Sequence, residues 1–212
     1  AKEQGIGHYF VPRYTRVVDT VESKDNINKA YNLISTSKVR NEMIVDDVIT
    51  CITRKQTPVI LTRFKEHAKF LYDALKGKAD HVFLLYGDNS DKENTEIRGR
   101  LKQVPGSESL VLVATGQKIG EGFDFPRLDV LMLAAPVSFE GRLEQYVGRL
   151  NRDYVGKEAV YVYDYIDSHV RYFDKMYAKR LRTYRKTGFS IWTQELQPKQ
   201  IINAIFDSVN YT

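Results

Sequence analysis

Five apolar runs recur along this chain, each followed by a small or polar turn and then a helical stretch. They are Val59-Ile60-Leu61, Val82-Phe83-Leu84-Leu85, Leu110-Val111-Leu112-Val113, Val130-Leu131-Met132-Leu133 and Val160-Tyr161-Val162-Tyr163. Strands that are apolar on both faces belong in a parallel sheet covered by helices on each side. The intervening stretches supply such helices. Phe64, Ala68, Leu71, Tyr72 and Leu75 keep the 3.6-residue period, and Ser90 with Glu93 forms a capping box opening a helix through Ile97, Leu101 and Val104. Strand alternating with helix predicts an α/β domain of the doubly wound kind, placed at residues 54–167.

The flanks differ. Residues 1–20 read as extended, with Pro12 and the β-formers Tyr14, Val17 and Val18. Residues 24–53 read as two helices, one burying Ile27, Ala30, Tyr31 and Ile34, the other Val39, Met43, Val48 and Ile52. Beyond the sheet, Ser168 is expected to cap a long helix ending near Gly188, and a last helix follows Pro198 with Ile201, Ile202, Ile205 and Val209 on its apolar face. The expected organisation is therefore an N-terminal linker and helices (1–53), the sheet domain (54–167) and a helical extension (168–212).

Composition excludes some classes. No apolar run is long enough to span a bilayer, so no membrane association is expected. No secretory pattern is visible, and a start at Ala1 suggests a processed or truncated chain. The single cysteine, Cys51, forbids an internal disulfide and points to a reducing, cytoplasmic setting. Its neighbours Val48, Ile49 and Ile52 make it a small buried hydrophobe rather than a catalytic thiol. The net charge of +5 favours a polyanionic partner without requiring one.

In open parallel sheets, ligands gather at the carboxyl ends of the strands. Here those ends carry Thr62-Arg63, Gly87-Asp88-Asn89, Thr115-Gly116-Gln117-Lys118 and Ala135-Pro136. Hydroxyls, glycine backbone and cations suit phosphate oxygens, although any one strand-to-helix loop is polar in most proteins. In the stretch from Thr115 to Pro126, Gly122 would let backbone approach a ligand, and Asp124 could accept from ribose hydroxyls. Residues 140–152 project as a short amphipathic helix. Leu143, Tyr146, Val147 and Leu150 share its apolar face, while Gln145, Arg149 and Arg152 share the other. Gly148 sits inside that helix at a cost of about 1 kcal/mol relative to alanine, which implies something pressed close to it. Two guanidiniums there suit charge developing on a transferring phosphoryl group; solvated surface arginines are the plainer alternative.

Taken in order, TPVILTRFKEH (57–67), VLVATGQKIGEGFDFP (111–126) and QYVGRLNR (145–152) resemble motifs IV, V and VI of superfamily 2 helicases of the DEAD/DEAH-like kind. The resemblance covers residues 54–167, and EGFDFP and LTRFKEH resemble most the helicase subunits of restriction enzymes. It implies a RecA-like parallel sheet with helices on both faces, plus helical N- and C-terminal extensions: the second motor domain of an ATP-driven helicase or translocase. Carried over, Arg152 would be the arginine finger, Arg149 a second phosphate contact, and Gln145, Gly122 and Asp124 the nucleotide-side residues. Thr62, Arg63, Gly87, Thr115, Gln117 and Lys118 would face the DNA or RNA backbone.

No Gly-x-x-x-x-Gly-Lys-Ser/Thr loop and no Asp-Glu-x-His or Asp-Glu-x-Asp motif occurs in the chain. ATP and Mg2+ would then be held mainly by an N-terminal RecA-like domain of the same protein, with Gly5 to Tyr14 as the stretch leaving it, and this chain alone should not hydrolyse ATP. Two rivals remain. A non-catalytic nucleic-acid-binding module would not need Arg149 and Arg152, and an α/β nucleotide-cofactor or sugar-nucleotide enzyme would want a glycine loop where Leu61 is followed by Thr-Arg-Phe. The helix after Ser168 carries Arg171, Lys175, Lys179, Arg180, Arg182, Arg185 and Lys186, which suits either a nucleic-acid contact or a solvated docking helix.

Overall fold

The computed structural model describes residues 5–115, 124–137 and 140–192. All five apolar runs are strands: β2 (Pro58–Thr62), β3 (His81–Leu85), β4 (Leu110–Thr115), β5 (Val130–Leu133) and β6 (Ala159–Ile166). Two more come from the flanks, β1 (Gly7–Tyr14) and β7 (Ser190–Ile191). Together they make one sheet in the order β3-β4-β2-β5-β6-β1-β7, and every pairing is parallel. The extended N-terminal segment is thus part of the sheet, in register with β6 from Gly7↔Ala159 to Tyr14↔Ile166. Pro12 is tolerated because β7 pairs β1 only at Tyr9 and Phe10, leaving that side of Pro12 without a strand among the described residues.

The helices are α1 (Ile27–Ser35), α2 (Lys38–Thr53), α3 (Lys65–Leu75), α4 (Asp91–Gln103), α5 (Glu140–Leu150) and α6 (Arg171–Lys186). Alternate strand residues feed two cores, which is why the runs had to be apolar throughout. Val59, Leu61, Leu110, Leu112, Leu131 and Leu133 face Leu101 of α4, Leu143 and Val147 of α5 and Tyr184 of α6. Ile60, Val111, Val113, Val130 and Met132 face Ile44 and Val48 of α2 and Ala68 and Leu71 of α3. Cys51 is wholly buried in that second core, and burial pushes its thiol up to about 12, so it is an inert packing group. No described helix is long and apolar enough to cross a membrane.

The capping box at Ser90 and Glu93 forms as expected. Three local expectations fail, the first two because a distant partner intervenes. On α2, Val39 is 65% exposed and the neighbouring Arg40 is buried instead. Its guanidinium donates to both oxygens of Asp167 at 2.9 and 3.0 Å and to Ala134 O at 2.6 Å, while Thr15 Oγ1 donates to Asp167 Oδ1 at 2.5 Å. Ser168 does not cap α6. The N-cap is Val170, and the Arg171 amide is met at 2.8 Å by Asp19 Oδ2 from the other end of the chain. The projected helix over 140–152 stops at Leu150, so Arg152 lies in the segment beyond its end. The helix expected after Pro198 falls outside the described residues.

Candidate functional site

At the carboxyl edge of the sheet, β2, β3, β4 and β5 end around an open cavity of about 600 Å³. Thr62, Arg63, Gly87 and Thr115 line it together, as the strand-end reading expects; Gln117 and Lys118 lie outside the described residues. Polar lining residues that carried no functional expectation include Tyr31 from α1, Lys65 and Tyr86 beside the strand ends, and Arg142 from α5. Tyr31 shows in sequence only as a helix-face aromatic, and Arg142 stands three residues before the motif that draws the eye. Two cations are held over rings: Arg63 Cζ is 4.4 Å from the Tyr31 centroid, and Lys65 Nζ is 4.7 Å from that of Tyr86. Such stacking restricts long side chains that would otherwise wander in solvent.

The two threonines of the cavity differ in what they can offer. Asn41 Nδ2 donates to Ser35 O at 2.9 Å, which fixes its Oδ1 as the acceptor facing His67 Nε2 at 2.7 Å. His67 Nε2 therefore carries the proton, and bare Nδ1 accepts from Thr62 Oγ1 at 2.5 Å. Burial, and then Arg40 nearby, lower the His67 pKa to about 3, so the ring stays neutral. The hydroxyl hydrogen of Thr62, itself only 3% exposed, is committed inside the protein. Thr115 has the opposite role, because its Oγ1 accepts the Gly87 amide at 2.6 Å. An accepting hydroxyl keeps its own hydrogen to donate.

The segment Ala134–Val137, between β5 and α5, is gripped from three helices. Arg40 of α2 donates to Ala134 O, Tyr31 Oη of α1 to Pro136 O at 3.1 Å, and Arg180 of α6 to Val137 O at 3.1 Å. Arg180 is not part of a solvated basic face. It is 2% exposed, forks onto Asp164 at 2.9 and 2.8 Å, and shares that carboxylate with Tyr184 Oη at 2.8 Å.

Helix α5 starts at the cavity and carries the chain away from it. Arg142 and Tyr146 line the cavity, whereas Arg149 and Arg152 do not. The seven residue steps from Arg142 to Arg149 span roughly 10 Å of helix axis. Gln145 is exposed and Arg149 partly so. Apart from its chain neighbours and its own helix backbone, no described atom lies within 4 Å of where a Cβ on Gly148 would stand, so no other described part of the chain presses on that glycine. Arg152 Nε is 3.6 Å from Asp124 Oδ1, an exposed pair that brings the ends of the two motif-bearing segments together. Gly122 lies outside the described residues.

Beneath this pair, Lys157 Nζ donates to Pro126 O at 2.9 Å, to Arg152 O at 3.0 Å, and to Leu150 O. Burial lowers the Lys157 pKa, while Asp129 and Asp153 work against that shift. Asn151 Oδ1 meets His8 Nε2 of β1 at 2.6 Å. Among the described residues, no group of three or more His, Cys, Asp or Glu side chains could hold a metal ion.

No protein-family model matches the chain. It is similar to the transcript termination protein A18 of Yaba-like disease virus, 26% identical over 163 residues that cover 72% of this chain and 33% of that protein. It is also similar to the putative helicase 161L of invertebrate iridescent virus 6, 30% identical over 162 residues, 73% of this chain and 35% of that one. The chain thus spans about a third of the length of these relatives. Among solved structures, T4 UvsW superposes with a TM-score of 0.69 at 21% identity, covering 88% of this chain and 41% of that chain. In fold the chain is RecA-like, an all-parallel α/β sheet of the kind found in T4 UvsW. None of these three is a restriction-enzyme subunit, so nearness to such subunits finds no support in them.

Proposed function

We propose that this chain is the second motor domain of an ATP-driven nucleic-acid helicase or translocase, with residues 54–167 as its centre. The observation that carries the reading is that α5 joins two differently equipped places. At its start, Arg142 and Tyr146 border the cavity with Arg63, Gly87 and Thr115; beyond its end, Arg152 stands against Asp124. A rigid helix between them transmits a displacement at one end to the other.

The cavity takes backbone phosphates of DNA or RNA. Arg63, held on the Tyr31 ring, and Arg142 supply charge, and Thr115 donates its hydroxyl hydrogen. Contacts of this kind fix register without reading sequence. Thr62 serves differently from the backbone contact its motif implies, since its hydrogen is given to His67; it shapes the wall.

At the other end, the residues fit a nucleotide polyphosphate presented by a partner domain. Two guanidiniums of one helix turn region stand beside Gly148, where nothing described obstructs close approach, and Asp124 can accept from ribose hydroxyls. ATP with its Mg2+, gripped mainly by the N-terminal RecA-like domain, supplies the phosphoryl group and the metal charge when bound. Arg152 then leaves Asp124, an exposed pair of small worth, for the γ-phosphate, with Arg149 beside it and Gln145 orienting them. The helicase reading as a whole is supported by the likeness to a viral protein named as a putative helicase.

An arginine finger is worth on the order of 10³ to 10⁵ in rate. In a protein carrying both motor domains, Arg152→Ala should lower nucleic-acid-stimulated ATP hydrolysis by about that factor. Binding of a fluorescent ATP analogue should be nearly unchanged. Near-normal turnover in the variant would overturn the proposal.

A further inference from the structure

We infer that Lys157 is a positioning residue for Arg152, holding the backbone beyond α5 so that the guanidinium is aimed before any nucleotide arrives. This rests on the reading of Arg152 as the arginine finger. The segment that carries Arg152 has no apolar anchor of its own. Asn151, Arg152, Asp153, Tyr154, Val155 and Gly156 are all exposed, and Val155 reaches 95%. Left to itself, a stretch of that kind samples many conformations, and a five-bond side chain on it would be poorly aimed.

Lys157 removes that freedom. An ammonium has three hydrogens, and here three carbonyls converge on it: Leu150 O, Arg152 O and Pro126 O. Leu150 ends α5, so the cation also sits at the negative end of the helix dipole. Pro126 follows two residues after Asp124 and belongs to the other motif-bearing segment. One side chain therefore locks the exit of the helix, the backbone of Arg152 and the strand-leading segment of Asp124 into one unit. The chain reaches this arrangement by reversing at Gly156, whose φ of +82° is open to glycine and strained for other residues, with Lys157 N donating to Tyr154 O at 3.0 Å. His8 of β1, against Asn151 Oδ1 at 2.6 Å, adds a second tie to the segment.

The test measures ATP turnover and thermal melting in a protein carrying both motor domains. Lys157→Met keeps the length of the stem and removes all three donors. It should lower kcat about 10- to 100-fold, the range for a catalytic group misplaced by about an ångström, with KM for ATP within about twofold. Lys157→Gln retains an amide donor, should lose less, and carries the test if the methionine variant does not fold. A residue acting through Arg152 must also be silent without it. In an Arg152→Ala background, single-turnover rates should fall by less than about twofold more when Lys157→Met is added. Turnover of both single variants within about twofold of the parent overturns the inference, as does a full additional loss in the Arg152→Ala background. If Arg152→Ala alone leaves turnover intact, it is the finger assignment that fails, and with it the premise used here.

Discussion

The two threonines at the cavity allow a sharp test, because they occupy equivalent strand ends and are wired oppositely. Thr62→Val preserves shape and removes the hydrogen that Thr62 donates to His67 Nδ1 at 2.5 Å. The ring cannot turn to find another donor while Asn41, fixed by Ser35 O, holds Nε2. A buried acceptor left without a donor costs about 1–3 kcal/mol, and in a domain of this size each kcal/mol lowers the melting temperature by about 2–4 °C. Thr62→Val should therefore melt roughly 5 °C lower and bind nucleic acid as before. Thr115→Val removes both the acceptor for Gly87 and the donor assigned to a phosphate. A hydrogen bond to a charged group contributes about 1.5–3 kcal/mol, so affinity should fall by roughly 10- to 150-fold. Fluorescence anisotropy with a labelled single strand, at one fixed salt concentration, reads the affinities, and thermal melts read stability. If Thr62→Val weakens binding as much as Thr115→Val while melting like the parent, the hydroxyl assignment is wrong.

Two further outcomes follow from buried charge. Asp167→Leu strands the Arg40 guanidinium, whose side chain has no exposed surface, and should cost about 3–5 kcal/mol in urea unfolding. The double change Arg40→Met with Asp167→Leu should recover part of that loss, and a single-variant cost under about 1 kcal/mol would refute the ion-pair account. The second outcome concerns acid. His67 has a folded-state pKa near 3 against an ordinary 6.5, so its contribution is complete above about pH 6.5 and is lost as pH falls toward 3. The slope is at most about 1.4 kcal/mol per pH unit. Asp129, raised by burial to about 6, acts in the opposite sense between its ordinary 3.8 and that value, so the parent must be compared with a single variant. His67→Gln can still accept from Thr62 and donate to Asn41; its melting temperature should fall less steeply from pH 6.5 to 4.5, and an identical acid limb would argue against a neutral buried imidazole.

What the sequence makes legible here is what neighbours along the chain decide. The five apolar runs become β2 to β6 because each strand is covered on both faces, and Ser90 with Glu93 closes its own capping box. The shared cavity of Thr62, Arg63, Gly87 and Thr115 follows from parallel strands all ending on one edge. Long-range partners are silent in a local reading. Val39 and Arg40 are adjacent, and only Asp167, 127 positions away, makes the arginine the buried one. Asp19 takes the place expected of Ser168 at the first turn of α6 for the same reason. The basic run of α6 reads as one charged face until Asp164 draws Arg180 inward. Helix periodicity also continued past Leu150, where the turn at Gly156 and the carbonyl grip of Lys157 end it.

The place of β1 between β6 and β7 bears on how the molecule is made. Its long partner, Ala159–Ile166, is synthesised about 150 residues later, an interval of roughly eight to thirty seconds at 5–20 residues per second. Through that time Gly7–Tyr14 lacks its partner β6, while β2, β3 and β4 can already assemble. Phe10, destined for the core, must stay out of foreign pairings until then. A ribosome pause placed after Ile166 would lengthen the opportunity for correct closure, whereas one placed before Ala159 would lengthen the exposure.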